Sequence, residues 1–396
     1  MKKKIISIIS VVLCLALVLC ACDGKNGRLS AVTDDDKTLN ETIVMTVGDE
    51  KITQADFNFI YKLVYDNMSQ YAMYYGEDWE NMEIEEGKKM SDFMYENTVD
   101  QLKQMAAAVK LAVKYDIKDD KDVQKTVTEQ KNSIINDNYK GVDKYKEYLL
   151  SAHTTDKAFD RYLVVCEIYQ KLYKELTKVG GELRDNDDEI EKQFLEEYKD
   201  KWRVQHILIS TEGGSEDSKE DKPARTEEEA KALADEVIKK LDEGADFDEL
   251  IEQYNEDPGI SKGKFYVFGT GEMVSEFEEA SKNLEIGAYT KEPVKTSYGY
   301  HIIKRYDINT KIDEFKDFQN NLLQEKAMKK LDDALKDMDV DVKEDTIKKY
   351  LDKWAEERKK EAEEAAKSAE QENAGSAEKA EDESSDKAAE ASEEEK

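Results

Sequence analysis

The chain has 396 residues, with 92 Asp and Glu against 60 Lys and Arg and a formal net charge of −32. Nucleic-acid backbones are bound through Lys and Arg, so this balance argues against nucleic acid as a partner. The length leaves room for two or more domains of about 100–200 residues, and 38% charged residues with only three Pro point to much exposed helix.

Met1-Lys-Lys-Lys4 and the apolar run Ile5 to Ala21 read as a secretory signal, residues 1–21. Its apolar stretch is short for a membrane span. The run ends in Leu19-Cys20-Ala21-Cys22, and a small residue just before a cysteine is the pattern of a bacterial lipoprotein signal. Cys22, preceded by Ala21, is the expected lipid-attachment residue; an uncleaved membrane anchor is the alternative. Either way, residues 23 onward lie outside the cytoplasmic membrane, and the expected location is its extracytoplasmic face. Cys14 and Cys20 leave with the signal and Cys22 carries lipid. That leaves Cys166, a core residue on a helical stripe, so the mature chain has no internal disulfide.

Residues 22–40 are polar and Asp-rich and read as a tether. Thr42–Val47 and Gly48–Ile52 predict a strand, a turn and a return. Thr53 with Asp56 three residues on starts a helix in capping-box fashion, and Phe57, Ile60, Val64 and Met68 follow at helical spacing. Further helices are predicted over about 88–115, about 120–138 and from a Thr155 cap to Gly180-Gly181. The region 41–198 is thus helical and rich in Tyr and Met. Two readings stay open for it: an ordinary bundle, or a cleft whose adaptable rings and thioethers receive varied apolar segments. His153, in a Ser-Ala-His-Thr-Thr loop, reads as solvated.

Asp187 opens a helix that leads into a strand, Arg203–Ser210. An acidic loop to about Pro223 follows, then a Thr226/Glu229 capping box and helix, Gly244, a short helix with Phe247 and Leu250, and the Asp257-Pro-Gly259 turn. Ser275 and Glu278 cap another short helix, and two strands finish the block near Ile308. The order β, α, α, extended, α, β, β describes a compact α+β domain with an antiparallel sheet and surrounding helices, residues 199–308. Two of only three histidines fall in its strands, in Val204-Gln-His-Ile-Leu-Ile209 and Thr296-Ser-Tyr-Gly-Tyr-His-Ile-Ile-Lys304.

From about Trp202 to Tyr306 the chain resembles parvulin-type peptidyl-prolyl cis/trans isomerases. The matching pieces are His206-Ile-Leu, Gly244-Ala-Asp-Phe-Asp-Glu-Leu250, Tyr254-Asn-Glu-Asp-Pro-Gly259, Gly271-Glu-Met-Val-Ser-Glu-Phe277 and Tyr298-Gly-Tyr-His-Ile-Ile303. With the lipoprotein signal and helices on either side, the whole chain is similar to extracytoplasmic foldase lipoproteins of the PrsA kind. Val47-Gly-Asp-Glu-Lys-Ile-Thr53 resembles the start of SurA-like chaperone regions. The resemblance implies an isomerase domain inserted between helical chaperone segments, with 309–355 packing back on 41–198. It implies His206, Asp257, Thr296 and His301 as the polar core of the site, and Phe265, Met273 and Phe277 around the proline ring. Clients would be unfolded exported polypeptides carrying X-Pro bonds, with no cofactor, and a homodimer is left open. A holdase chaperone or scaffold lipoprotein with a weak or inactive parvulin domain is the alternative.

One segment departs from the family pattern. Where an acidic residue and a Gly are usual, Gly263-Lys-Phe-Tyr-Val-Phe268 has Lys264 and Tyr266, and Lys282 falls in a stretch that is usually small and apolar. The Thr211–Pro223 loop has no basic cluster, which argues against selection for a phosphorylated residue before proline. A metal held by His206, His301 and Asp257 is not expected, because no HxH or HxxxH spacing supports one. Past the domain, Phe315 to Leu335 continue at helical spacing, Asp339–Val342 is extended, and Ile347, Leu351 and Trp354 suggest a final turn or two. The tail, 356–396, is acidic and reads as disordered or a frayed helix.

Overall fold

The computed structural model describes residues 37–70, 76, 79–184, 186–211 and 225–360. The signal, Cys22, the acidic loop after Thr211 and nearly all of the tail lie outside the described residues. The chain divides into two compact units. One runs to Leu176 and resumes at Ala327; the other is Thr177–Lys326.

The first unit begins with a short helix, α1 (Lys37–Glu41), and a hairpin of β1 (Ile43–Val47) and β2 (Glu50–Thr53). Thr53 caps α2 (Gln54–Ser69) through a complete capping box with Asp56. A small hairpin, β3 (Glu83–Glu85) and β4 (Lys88–Lys89), precedes the long helix α3 (Met90–Val113). Then come α4 (Lys121–Asp137), α5 (Val142–Ser151) and α6 (Asp156–Thr177). The spacing of apolar residues anticipates α2, α3, α4 and α6 but not α5, which buries only Tyr145 and Leu149. The chain returns to this unit with the end of α11 (Asp313–Leu335) and β9 (Val340–Val342), which pairs with β1 to give the order β2-β1-β9. Residues 344–360 are helical, longer than the turn or two expected. Trp354 explains the length: its indole sits edge-on to Tyr61 and Tyr65 and donates to the Ser151 carbonyl at 3.1 Å.

Many of this unit's Met and Tyr side chains are core. Met45, Met68, Met94, Tyr61, Tyr145 and Tyr162 are all buried, and the rings of Phe59, Phe159, Tyr162 and Tyr145 meet edge-on or tilted in one cluster. His153 is not solvated as the loop composition suggests. Its Nε2 lies 3.1 Å from Glu357 Oε2, its ring meets Tyr350 and Trp354, and its backbone carbonyl accepts from Asn58.

The second unit contains α7 (Asp187–Tyr198), whose Ile190 and Phe194 pack on Phe315 and Leu323 of α11. Its sheet is antiparallel in the order β6-β5-β8-β7: β5 (Trp202–Ser210), β6 (Tyr266–Phe268), β7 (Val294–Thr296) and β8 (Gly299–Tyr306). Alternation along β5 and β8 sorts side chains onto two faces. One face carries Ile207, Ile209, Tyr300 and Ile302 against α8 (Glu227–Asp242) and α9 (Phe247–Tyr254). The other carries Val204 and Ile303 against Phe268 and Phe277, the latter on α10 (Ser275–Asn283). The residue flanking α10 is Val274 rather than Ser275, and Glu278 instead accepts the Gly271 N–H at 2.7 Å. Close packing of β5 on the β7–β8 turn requires glycine at 299. Its φ is 137°, and a Cβ there would lie 2.2 Å from the Ile209 carbonyl oxygen.

Candidate active site

The two strand histidines meet because of register. His206 pairs with Ile303 and Leu208 with His301, so the histidines are diagonal neighbours on the same face of β5 and β8. Their ring centroids are 5.0 Å apart, with the ring planes inclined at 62°. Phe277 stands against both, 5.1 Å from His206 and 5.3 Å from His301. Both imidazoles are buried, and neither Nδ1 has a hydrogen-bond partner among the described residues.

Each outer nitrogen is bonded to a different element. Nε2 of His301 lies 2.8 Å from Thr296 Oγ1 at the end of β7, and the same oxygen accepts the Tyr298 N–H at 3.1 Å. Which of Thr296 Oγ1 and His301 Nε2 donates in their bond follows the ring's tautomer. Burial pushes the His301 pKa down to about 3, with His206 adding to the fall and Asp257 opposing it, so this ring is neutral. Nε2 of His206 lies 2.8 Å from Asp257 Oδ2. That bond, more than the Gly259 N–H on Oδ1, holds the Asp257 pKa down to about 2 against the cost of burial, so Asp257 is ionised.

Asp257 reaches His206 through the turn that follows α9. β6 pairs only with Trp202–Val204, which leaves the rest of that β5 edge for the turn to occupy. Asn255 Oδ1 accepts the Leu208 N–H at 2.9 Å, and its Nδ2 donates to the carbonyls of Asp257 and Ile260. Glu256 takes the Ser210 N–H at 2.8 Å and Arg225 Nη1 at 2.7 Å. Asn255 is thus the support of the carboxylate, a role that the sequence analysis did not assign. Its signal was present: Asn bonding backbone groups two residues on is a recurrent turn former, and here it stands two residues ahead of Asp257 in the Asp-Pro-Gly turn.

The structure brings His206, Asp257, Thr296 and His301 together, with Phe277 beneath and Met273 packed beside the same cluster. It does not bring Phe265 there. In β6, Tyr266 pairs with Val204 and shares its face, so Phe265 turns to the other face. There it lies under the Arg203 guanidinium at 3.4 Å and against Tyr306. The β6 side chains on the histidine face are Tyr266, 5.5 Å from His206, and Phe268, 5.9 Å from Phe277. Lys282 stays out of the apolar cluster, bonded to Glu278 at 2.5 Å with its ammonium over the Trp202 ring. Among the described residues, no group of three or more His, Cys, Asp or Glu could hold a metal ion.

Residues 190–308 match the PPIC-type PPIASE domain family, and residues 1–172 match the SurA-like N-terminal domain family. The foldase protein PrsA of Caldanaerobacter subterraneus is 29% identical over 357 residues, spanning 88% of this chain and 97% of that protein. PrsA of Geobacillus kaustophilus is 36% identical over 171 residues, 41% of this chain and 54% of that protein. A third PrsA, from a Geobacillus species, is 31% identical over 230 residues, 54% of this chain and 74% of that protein. With family models over residues 1–172 and 190–308 and relatives that span both regions, the chain belongs to the PrsA foldase family and carries a parvulin-type peptidyl-prolyl isomerase domain.

Proposed function

We propose that the protein works on the outer face of the membrane, held by lipid on Cys22, where it binds unfolded exported chains and isomerises their X-Pro bonds at the histidine face of the β5–β8 sheet. The observation that carries the catalytic part is the ionised Asp257 fixed on buried His206 beside an apolar floor. An X-Pro bond turns slowly because amide resonance keeps it planar, behind a barrier of about 18–20 kcal/mol. Twisting ends that resonance, so the carbonyl oxygen loses negative charge and the nitrogen regains its lone pair. A fixed carboxylate near the carbonyl therefore repels the planar state more than the twisted one, and only such differential interaction accelerates the step. Met273, partly exposed over the buried rings of Phe277 and Phe268, supplies an apolar surface for the proline ring. His206 holds Asp257, while neutral His301, fixed by Thr296, backs His206 without adding a competing charge. No bond is made or broken, so no nucleophile or cofactor is required.

The test is the rate of a proline-limited refolding reaction. Asp257→Ala should slow catalysis about 10²-fold, the scale for losing one preorganised electrostatic group. Equal rates for variant and wild type would remove the catalytic role. For the anchor, Cys22→Ser should move the chain from the membrane fraction to the soluble fraction, and a variant that stays on the membrane would defeat the lipid assignment.

A further inference from the structure

Tyr266 occupies the space over the site's carboxylate. Its hydroxyl lies 3.1 Å from Asp257 Oδ2 and 3.3 Å from Oδ1, within reach of both oxygens. The same hydroxyl presses on the turn: a Cβ built on Gly259 would come within 2.1 Å of it. His206 on Oδ2 and the Gly259 N–H on Oδ1 bond the same carboxylate, whose side chain stays 18% exposed. The ring is held as well. It belongs to a paired strand, meets His206 edge-on at 5.5 Å, and packs against the apolar clusters on both sides of the sheet end.

We infer that Tyr266 selects the residue that precedes proline, admitting short, uncharged side chains and excluding bulky ones. This rests on the isomerase reading above. The carbonyl of an X-Pro bond belongs to X, so if the proline ring lies on Phe277 and Met273, whatever faces Asp257 comes from X. Tyr266 is the bulky group already standing there, on a strand rather than a loop, so a large X has to displace it together with its bonds to Asp257. An acidic X is further opposed by the charge on Asp257 itself. Phe265 cannot share this role, since it lies on the opposite face with Arg203.

The test uses the full chain and four peptides that differ only in having Gly, Ala, Leu or Phe before proline, with isomerisation followed by NMR exchange. Wild type should favour Ala over Leu about tenfold or more in kcat/KM, in line with what steric pocket contacts achieve. Tyr266→Phe keeps the bulk and should keep that ratio. Tyr266→Ala should bring the ratio within about threefold by raising the Leu and Phe peptides. Tyr266→Val, better suited to a strand, replaces it if the Ala variant does not fold. A flat wild-type profile, or a small variant that keeps the wild-type ratio or loses all four peptides equally, overturns the inference. A wild type inactive on every peptide overturns the isomerase reading as well, so the two failures are separable.

Discussion

In the first unit, several buried polar side chains serve the backbone or a neighbour one helical turn away, while Thr155 and Thr53 also bond side chains from distant elements. Gln54 donates to Asn58, Asn58 to the His153 carbonyl, Thr154 to the Ala55 carbonyl and Thr98 to the Met94 carbonyl. The rings around them are core, and burial raises the pKa of the Tyr61, Tyr145 and Tyr148 hydroxyls. In the second unit, polar groups join side chain to side chain between elements: His206 with Asp257, 51 residues on, and His301 with Thr296 of the adjoining strand, all beside Phe277. The first pattern satisfies groups that folding would otherwise strand, because a buried unpaired polar atom costs about 1–3 kcal/mol. The second exceeds what packing alone requires. It fixes an ionised carboxylate and a neutral imidazole within one small patch, an arrangement expected at a working site.

The sharpest way to break that comparison is to titrate stability. The folded-state pKa of His301 is depressed from 6.5 to about 3, chiefly by burial. Below pH 6.5 the unfolded chain takes up a proton that the folded chain refuses, so stability falls as pH drops through this window and is unaffected by this group above it. One such proton corresponds to about 1.4 kcal/mol per pH unit. Asp257 works in the same direction but lower, from 3.8 to about 2, so it adds little at the upper end of the window. His301→Asn should therefore flatten the decline in stability below pH 6.5, measured by urea unfolding at a series of pH values. If wild type and variant decline in parallel, His301 is not held as a buried neutral base, and the contrast between the units loses its main support.

The parts of this site that were legible in the sequence are those where a strict period applies. His206 and His301 sit in strands long enough for alternation to put both on one face, and the Thr53/Asp56 and Thr226/Glu229 boxes mark helix starts that the structure keeps. Phe265-Tyr266-Val267-Phe268 is apolar at every position, so alternation is silent there, and a one-residue choice exchanges the two faces. The family resemblance put Phe265 at the proline pocket, and no alternation in the run could correct it; Tyr266 stands at the carboxylate instead. The long C-terminal helix was underread for a related reason: its stripe is carried by Ile347 and Trp354 among many charges, and the contacts of Trp354, Glu357 and Arg358 reveal what it packs on. The Tyr and Met of the first unit were ambiguous because the same residues serve a core or a cleft, and burial decides for the core in those named above.

A smaller effect separates the units through one motif that both contain. In each, a Thr side chain accepts the N3 amide and an acidic N3 side chain accepts the Thr amide: Asp56 for Thr53, Glu229 for Thr226. The Thr226 box has no further partner in the hydrogen bonds described and is exposed. Thr53 is nearly buried, and Arg161 from α6 donates to its hydroxyl at 3.2 Å while pairing with Asp56 at 2.7 Å. Thr226→Ala should thus cost about 0.5–1 kcal/mol, the ordinary value of an exposed cap. Thr53→Ala should cost about 2 kcal/mol, since it also removes the acceptor for a guanidinium N–H in a partly desolvated place. Amide hydrogen exchange in α2 and α8 reads each loss locally, which matters because a chain of two units need not unfold in one step. Equal losses would mean that Arg161 adds nothing to the first cap. A larger loss at Thr226 would mean that the second unit leans on its helix starts as heavily as the first, whatever its site requires.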